Sequence, residues 1–433
     1  MDIGKLIESF KNCSCGREHD AFIKDVEIAS GLISDAGKIL DKNGFPKKIL
    51  VVADKNTLKA ADGLLEVLKS DGYKCDLRLY DDLRVADMTE VDAIRDILKE
   101  GEDGVLSVGT GSLNDICRLG SYKADKPFAI FATAPSMDGF ASDTAPITEN
   151  GFKVSYQARQ PSVVMADTRI LAAAPTELKS AGFGDMIAKC VGLADWKLST
   201  LLTGEYYCDR VASLTKSAFD KIVSMADRVT RSDEETAGAI MEALVMTGVA
   251  MQFGKSSRPA SGAEHIVSHF WEIKELEQGV ISDFHGKKVG VATIMINRLY
   301  KEVIKKAKKE NFIEDHIDWA VLSEVYGKNF IGDVKRLNEP TITEGLTAEK
   351  VRDCWDEICR IYEEELPSED ELMRLMKAAG AVTTLKEIAV PDDLGVLGLK
   401  YHPYMRHRLN LSRIIPMLHV DIDYERIAGL KDE

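Results

Sequence analysis

Short apolar, β-branched runs alternate with amphipathic segments through the first part of the chain. Short runs that are apolar throughout are typical of buried parallel strands, whereas apolar positions three and four residues apart predict helices. The pattern predicts strands at 48–54, 75–80, 104–108 and 128–132, and helices at 56–68, 91–98 and 113–119. This alternation predicts an α/β, Rossmann-like domain with a parallel sheet covered on both faces.

From Pro175 onward the pattern is almost entirely helical, with long apolar segments such as 237–253 and 289–304. We therefore place a boundary near residue 168, which gives an α/β domain at 1–167 and an all-α domain at 168–433. Just before the boundary, 147–156 and 162–166, with Glu149-Asn150-Gly151 as turn residues, predict an appended hairpin.

Composition narrows the function classes. Hydrophobic residues make up 45% and charged residues 29%, which are ordinary values for a globular protein. The net charge of −15 opposes general affinity for nucleic acid or anionic lipid. The N-terminal segment lacks the features of a signal peptide, and no stretch approaches about 18 unbroken apolar residues. We expect a cytoplasmic protein whose partners are small molecules, with no nucleic-acid or membrane partner.

A glycine-rich loop follows the predicted strand at 104–108, where ligands bind in open parallel sheets. It contains Gly109, Thr110, Gly111, Ser112, Leu113, Asn114 and Asp115. The glycines let backbone N–H groups approach a pyrophosphate, and the next helix directs its positive end there. The loop departs from G-x-G-x-x-G, so a simple turn is the alternative. Asp54, at the end of an earlier strand, could accept ribose hydroxyls, which favours NAD over NADP.

A second polar loop follows the strand at 128–132. It contains Thr133, Ala134, Pro135, Ser136, Asp138 and Ser142. Its hydroxyls and carboxylate suit ligand contacts, although an ordinary polar surface loop has the same composition.

Three histidines lie close together in the second half. Ser261 to Glu264 has the form of a capping box, and His265 and His269 would project from one face of the helix that it starts. Position 266 is Ile, where the H-E-x-x-H peptidases carry the glutamate that acts as general base, so we do not expect peptidase chemistry. With His285 and a carboxylate such as Asp185, two imidazoles would suit Zn, Ni or Fe(II). Spacing alone leaves open which two histidines are ligands.

The eight cysteines are too sparse for a disulfide framework, so we expect reduced thiols. Cys13, Cys15 and His19 could in principle bind zinc. The C-x-C spacing is tight and no fourth ligand is nearby in the sequence, so we expect a turn with buried thiols instead.

Five segments in this order, GTGSLND, TAPSMDGFAS, GFGDMIAK, GAEHIVSH and FHGKKVG, resemble the superfamily of iron-containing alcohol dehydrogenases, glycerol dehydrogenases and dehydroquinate synthases. Within it the chain is most similar to the sn-glycerol-1-phosphate dehydrogenases. The resemblance covers roughly residues 20 to 310.

The resemblance implies a dinucleotide held by Gly111 to Asp115 and by Thr133 to Ser136, with Ser142 nearby. It implies that Asp138 and His269 are catalytic residues that contact substrate. It also implies that Asp185, His265 and His285 bind one divalent metal, zinc or nickel with iron as an alternative, and that Asp185 lies against the substrate. The implied enzyme is a homo-oligomer that reversibly reduces dihydroxyacetone phosphate with NADH or NADPH.

Two positions depart from the family pattern: Thr110 replaces a common third glycine, and Lys287 stands where relatives often carry glutamate. A substrate phosphate would require cations, and the candidates are Lys287, Arg258, Arg406, Arg408 and Arg413. Three other functions stay open: a glycerol dehydrogenase acting on an unphosphorylated polyol, a dehydroquinate synthase-like cyclase (a lyase), and a metal- and nucleotide-binding protein without turnover.

Overall fold

The computed structural model describes residues 1–149 and 152–431. The strands are β1 (Asp25–Ala29), β2 (Lys48–Asp54), β3 (Lys74–Tyr80), β4 (Gly104–Gly109), β5 (Phe128–Ala132), β6 (Thr144–Glu149), β7 (Phe152–Gln157) and β8 (Val163–Asp167). Six of them form one sheet in the order β1-β8-β5-β4-β2-β3, with every neighbouring pair parallel. The predicted parallel sheet is confirmed.

The helices of the first part are α1 (Ile3–Ser9), α2 (Ala36–Lys42), α3 (Lys55–Ala60), α4 (Leu64–Ser70), α5 (Met88–Glu100) and α6 (Gly111–Ala124). After β8 the structure is helical, with α7 (Thr168–Ala173), α8 (Thr176–Ile187), α9 (Lys189–Thr203), α10 (Asp209–Val223), α11 (Glu234–Gly254), α12 (Ala263–Glu277), α13 (His285–Lys306), α14 (Trp319–Asn338), α15 (Ala348–Glu365), α16 (Glu369–Ala378), α17 (Asp392–Tyr401), α18 (Leu411–Leu418) and α19 (Tyr424–Ile427). Short 3-10 helices lie at Leu32–Asp35, Asp138–Ala141, Ala226–Arg228, Lys309–Asn311, Lys386–Ile388 and His402–Met405.

The central strands are apolar throughout because both faces of the sheet are covered. Successive residues of β2 enter different cores: Leu50 and Val52 pack in the larger hydrophobic cluster, and Ile49 and Val51 in the smaller one on the opposite face. A strand with two buried faces has no polar alternation, which is why its sequence forms a continuous apolar run.

The region before the helical half differs from its prediction. β6 and β7 do form an antiparallel hairpin, whose predicted turn residues Asn150 and Gly151 lie outside the described residues. The 162–166 run, however, does not belong to an appended hairpin: it forms β8, between β1 and β5 of the main sheet. All five residues of β8 are buried, because a strand inside the sheet is covered on both faces, whereas an appended hairpin would leave one face of this apolar run exposed. The predicted helix at 56–68 is also divided, into α3 and α4, at the left-handed Gly63.

One helix among the described residues, α11, is long and apolar enough to cross a membrane by length and composition. In the structure 78% of that segment is buried inside the protein. Its apolar character is therefore accounted for by the core of the helical half.

Helices α8 and α13 approach each other closely through glycines. A side chain at Gly184 would place its Cβ 2.4 Å from the Gly286 carbonyl oxygen, and one at Gly286 would meet the Ala181 carbonyl oxygen at 2.0 Å. These contacts bring Asp185, on α8, close to His285, the first residue of α13.

We expect Gly184→Ala to lower the free energy of unfolding by about 1–3 kcal/mol, because backbone must move to admit the methyl group. Exposed Gly332, on α14, has open space around it, so Gly332→Ala should stabilise the protein by about 0.5–1 kcal/mol. Urea unfolding of both variants measures the two effects. Equal effects would show that close packing of α8 on α13 is unimportant.

Candidate active site

The two polar loops meet at the carboxyl edge of the sheet. Gly109 and Ala132 are in register across β4 and β5, and the Thr133 N–H donates to the Gly109 carbonyl oxygen at 3.3 Å. The hydroxyls of Thr110 and Ser136 are 2.6 Å apart. The loops therefore form one continuous wall.

Helix α6 directs its N-terminus at this wall. The side chain of the N-cap residue, Thr110, does not accept a hydrogen bond from the first turn of the helix. Gly111 has a φ of +26° and nothing within 4 Å of its Cβ position, so the backbone is open to the cleft. Uncapped N–H groups at the positive end of a 14-residue helix favour an anionic group such as a pyrophosphate.

The strand order reverses between β2 and β4, which is where open α/β sheets bind dinucleotides. Asp54 ends β2 at this point. One of its carboxylate oxygens caps α3 by accepting from the N–H groups of Asn56, at 2.9 Å, and Thr57, at 2.8 Å. The side chain also lines the cleft, where a ribose could reach it.

A cleft of about 1740 Å³ runs along this edge and into the helical half. Its lining includes most residues predicted to contact the dinucleotide: Asp54, Gly111, Ser112, Leu113, Asp115, Thr133, Ala134, Ser136 and Ser142. Three others are placed behind that wall. Buried Asn114 accepts from the Ser107 hydroxyl at 2.7 Å, Pro135 packs its carbonyl against Gly182, and Gly109 packs against Leu113. These three shape the loops.

His265 and His285 line the cleft, and buried Asp185 converges with them. Each offers one donor atom, and the three atoms lie within 4.8 Å of one another. His265 Nε2 is 3.5 Å from Asp185 Oδ1, close to the separation of about 3.3 Å between ligands 2.0–2.1 Å from a tetrahedral zinc ion. One carboxylate and two imidazoles therefore fit a divalent metal ion.

The orientation of His265 is fixed by its neighbour. Glu264 Oε1 lies 2.6 Å from His265 Nδ1, so the imidazole donates that N–H and keeps the Nε2 lone pair for the cluster. A carboxylate behind a ligating histidine is a common feature of metal sites. From the sequence pattern alone, Glu264 is expected in a capping box instead.

That capping box is wrong. The N-cap of α12 is Gly262, which has no side chain to cap the helix. The Ala263 N–H donates instead to Asp195 Oδ2 at 2.8 Å, from α9. Because a buried carboxylate distant in sequence satisfies the first turn, the hydroxyl of Ser261 is not needed.

Lys189 was missed as a site residue although it belongs to the GFGDMIAK motif. Its ammonium is fully buried, 2.6 Å from Asp138 Oδ2 and 2.7 Å from Asp185 Oδ1. Burial alone would raise the pKa of Asp185, but the Lys189 charge and the nearby imidazoles hold that pKa well below its usual range. Asp185 is thereby kept ionised, which binding of a metal ion would require.

His269 lies beside this cluster, with its ring 6.5 Å from that of His265, and is not one of the convergent donors. Its Nδ1 is 3.2 Å from Glu272 Oε2. Burial lowers the pKa of His269 to about 3, so the ring is neutral at physiological pH. With Nδ1–H donated to Glu272, Nε2 is left as an acceptor for a ligand hydroxyl.

Cations surround the outer side of His269. Buried Glu272 pairs with Lys153 of β7 at 2.8 Å and with Lys288 of α13 at 2.6 Å. Both lysines line the cleft, as do Arg406 and Arg408. Sequence reasoning missed Lys153, Lys288 and Glu272, because nothing in the sequence shows that the hairpin faces α12.

The remaining phosphate candidates are engaged elsewhere. Arg258 binds Glu205 at 2.6 Å, Arg413 binds Asp315 at 2.7 Å, and Lys287 binds Glu177 at 3.1 Å. None of the three lines the cleft described above. Partly buried Arg406 differs, since its side chain has no hydrogen-bond or ion-pair partner among residues 1–149 and 152–431. Burial lowers the pKa of this unpaired guanidinium.

Known proteins that are similar to this chain are dehydrogenases of one superfamily. Residues 27–175 match the family model described as iron-containing alcohol dehydrogenase. The chain is 31% identical to a glycerol-1-phosphate dehydrogenase [NAD(P)+] of Halalkalibacterium halodurans, over 92% of this chain and 94% of the relative. It is 30% identical to the enzyme of that name from Geobacillus thermodenitrificans, over 95% of each.

Among solved structures, a probable glycerol dehydrogenase from Sinorhizobium meliloti has a TM-score of 0.61 at 16% identity, over 94% of this chain and 95% of the other. This likeness shows the shared fold. The identities above, over nearly the full length of both chains, show more: the chain belongs to the glycerol-1-phosphate dehydrogenase family of the iron-containing alcohol dehydrogenases.

Proposed function

We infer that the protein is an NAD(P)-dependent oxidoreductase that interconverts dihydroxyacetone phosphate and glycerol 1-phosphate. The observation that carries the substrate assignment is the unpaired Arg406 guanidinium, in a cleft that is also lined by His265, His269 and His285. A partly buried cation without an acidic partner favours an anionic ligand, and an arginine matches phosphate oxygens well. The names of the relatives, both glycerol-1-phosphate dehydrogenases, support the same substrate.

The dinucleotide would bind along the wall formed by the two loops. Its pyrophosphate would accept from the N–H groups at the start of α6, and its adenosine ribose would lie near Asp54. We propose NAD as the preferred cofactor, because the Asp54 carboxylate would repel the 2′-phosphate of NADP.

Asp185, His265 and His285 would hold one divalent ion, zinc or nickel. When bound, such an ion polarises the substrate carbonyl and stabilises the negative charge that develops on its oxygen. The protein orients these side chains through Glu264, Lys189 and the glycine contacts between α8 and α13.

Two further residues would contact substrate. His269 Nε2 would accept from a substrate hydroxyl, and this contact sets the position of the carbon that receives the hydride. Asp138 lies at the cleft with one oxygen bonded to Lys189, 2.6 Å away. The buried ammonium holds that carboxylate in place, and the carboxylate oxygens would accept from a substrate hydroxyl.

The proposed function predicts a strong preference for the phosphorylated ketone. With NADH and reconstituted metal, kcat/KM for dihydroxyacetone phosphate should exceed that for dihydroxyacetone by about 10²-fold or more, because charge-assisted hydrogen bonds contribute about 1.5–3 kcal/mol each. Absorbance of NADH measures both rates.

Each competing function has a distinct outcome in this assay. Equal or better turnover of dihydroxyacetone would indicate a glycerol dehydrogenase. A cyclase regenerates its cofactor and would not accumulate NAD. A protein that retained metal and NAD but reduced neither ketone would be a binding protein without turnover.

A further inference from the structure

A second group of metal-binding side chains lies outside the active site. Cys13, Cys15 and His19 of the N-terminal segment meet Cys208, the N-cap residue of α10, and the four ligand atoms lie within 4.8 Å of one another. The two Sγ atoms of Cys13 and Cys208 are 3.6 Å apart. His19 Nε2 is 3.1 Å from Cys15 Sγ and 3.9 Å from Cys208 Sγ.

This arrangement corrects the expectation of a turn with buried thiols. That expectation depended on the lack of a fourth ligand close in sequence. The fourth ligand comes from Cys208, 195 residues after Cys13, and only the folded chain brings the two together.

The imidazole of His19 is held in the orientation that a ligand requires. Its Nδ1 lies 3.0 Å from the carbonyl oxygen of Phe253, at the end of α11. A carbonyl only accepts, so Nδ1 carries the proton and Nε2 presents its lone pair to the three sulfurs. The rings of Phe10 and Phe253 pack against the imidazole at 5.1 and 5.6 Å and keep it buried.

The distances match a shared ion better than a disulfide. Ligands 2.3 Å from a tetrahedral zinc ion have sulfur–sulfur separations of about 3.8 Å. A disulfide bond is about 2.05 Å long, far shorter than the 3.6 Å between Cys13 and Cys208. Every cysteine is a free thiol, and the five that are not in the cluster are Cys75, Cys117, Cys190, Cys354 and Cys359.

A helix N-terminus, a hydroxyl and a guanidinium lie close to the sulfurs. Cys208 sits at the positive end of the 15-residue helix α10. The Tyr206 hydroxyl donates to Cys15 Sγ at 3.2 Å, and the Arg17 guanidinium lies 3.6 Å from the centre of the Tyr206 ring. Such donors and cations offset the negative charge that three thiolates bring to one ion.

We propose that Cys13, Cys15, His19 and Cys208 bind a structural zinc ion, distinct from the metal of the active site. Four protein ligands complete a tetrahedral Cys₃His site and leave no position for substrate. The ion joins the N-terminal segment to α10 and the end of α11. Asp20 follows His19, and Lys255 follows α11; both line the cleft, so the zinc site also fixes one of its walls.

Metal analysis of the full-length protein tests the proposal. An Asp185→Ala/His285→Ala variant, which lacks active-site ligands, should retain one zinc per chain after purification without added metal. Adding Cys208→Ser should remove that zinc, whereas adding Cys354→Ser, at a partly buried thiol on α15, should not. Zinc retained without Cys208, or no zinc in the parent variant, would overturn the proposal.

A second measurement does not depend on whether the Cys208 variant folds. Cobalt-substituted Asp185→Ala/His285→Ala protein should show the thiolate-to-cobalt charge-transfer absorption and the intense visible bands of a tetrahedral site. A mercurial that modifies thiols should release zinc from the same variant as it reacts. No thiolate band, or a Cys13–Cys208 disulfide in non-reducing peptide mapping, would refute the assignment.

Discussion

Replacing Asp185 with alanine is expected to remove the active-site metal and to lower kcat for dihydroxyacetone phosphate by at least about 10³-fold. The carboxylate is fully buried and supplies the only acidic donor of the Asp185, His265 and His285 cluster. Charge stabilisation by a metal ion is worth several kcal/mol, and about 1.4 kcal/mol corresponds to a tenfold change in rate. Elemental analysis after dialysis and NADH consumption at saturating substrate measure the two effects.

His269→Ala is the matched comparison. It removes an imidazole from the same cleft that is not among the convergent donors, so this variant should keep its metal and lose substrate binding or turnover. Circular dichroism establishes that both variants are folded. The ligand assignment fails if Asp185→Ala keeps a full complement of active-site metal, or if His269→Ala loses it.

Replacing Arg406 with glutamine should raise KM for dihydroxyacetone phosphate by about 10²-fold, because a charge-assisted phosphate contact of about 1.5–3 kcal/mol is lost. Turnover of dihydroxyacetone, which has no phosphate, should hardly change. The guanidinium has no acidic partner in the described part of the chain, so its removal leaves no buried carboxylate uncompensated.

A control for the charge itself is Arg374→Gln. Arg374 is an exposed side chain on α16 that pairs with Glu371 of the same helix. Its loss should leave the kinetics with both ketones unchanged. An equal loss of activity towards the two ketones in Arg406→Gln would place the arginine in a structural role and remove the main support for a phosphorylated substrate.

Local sequence was sufficient for much of the fold. The runs that form β2, β4 and β5 are buried on both faces of the sheet, so nearly all of their residues are apolar. Such continuous apolar runs could be identified as strands from the sequence. The 162–166 run has the same character, but its partners β1 and β5 are distant in sequence, and its place in the sheet could not be deduced from the run itself.

The candidate site shows the same limit. Asp185 and the histidines could be proposed from the sequence because they stand in the short segments GFGDMIAK, GAEHIVSH and FHGKKVG. The carboxylates that orient the imidazoles, Glu264 and Glu272, look like ordinary helix residues until the fold turns them inward. The capping role of Asp195 depends on contact between α9 and α12, which residue spacing along the chain does not predict.

One helix, α12, carries His265, His269 and the two carboxylates that orient them, whereas the cations of the cleft come from other segments. Lys153 lies on the β6–β7 hairpin, and Arg406 lies in the link between α17 and α18. The histidines of α12 and these two cations therefore come from separate stretches of the sequence. Substitutions in the hairpin or the link could therefore change the charge of the cleft without altering α12.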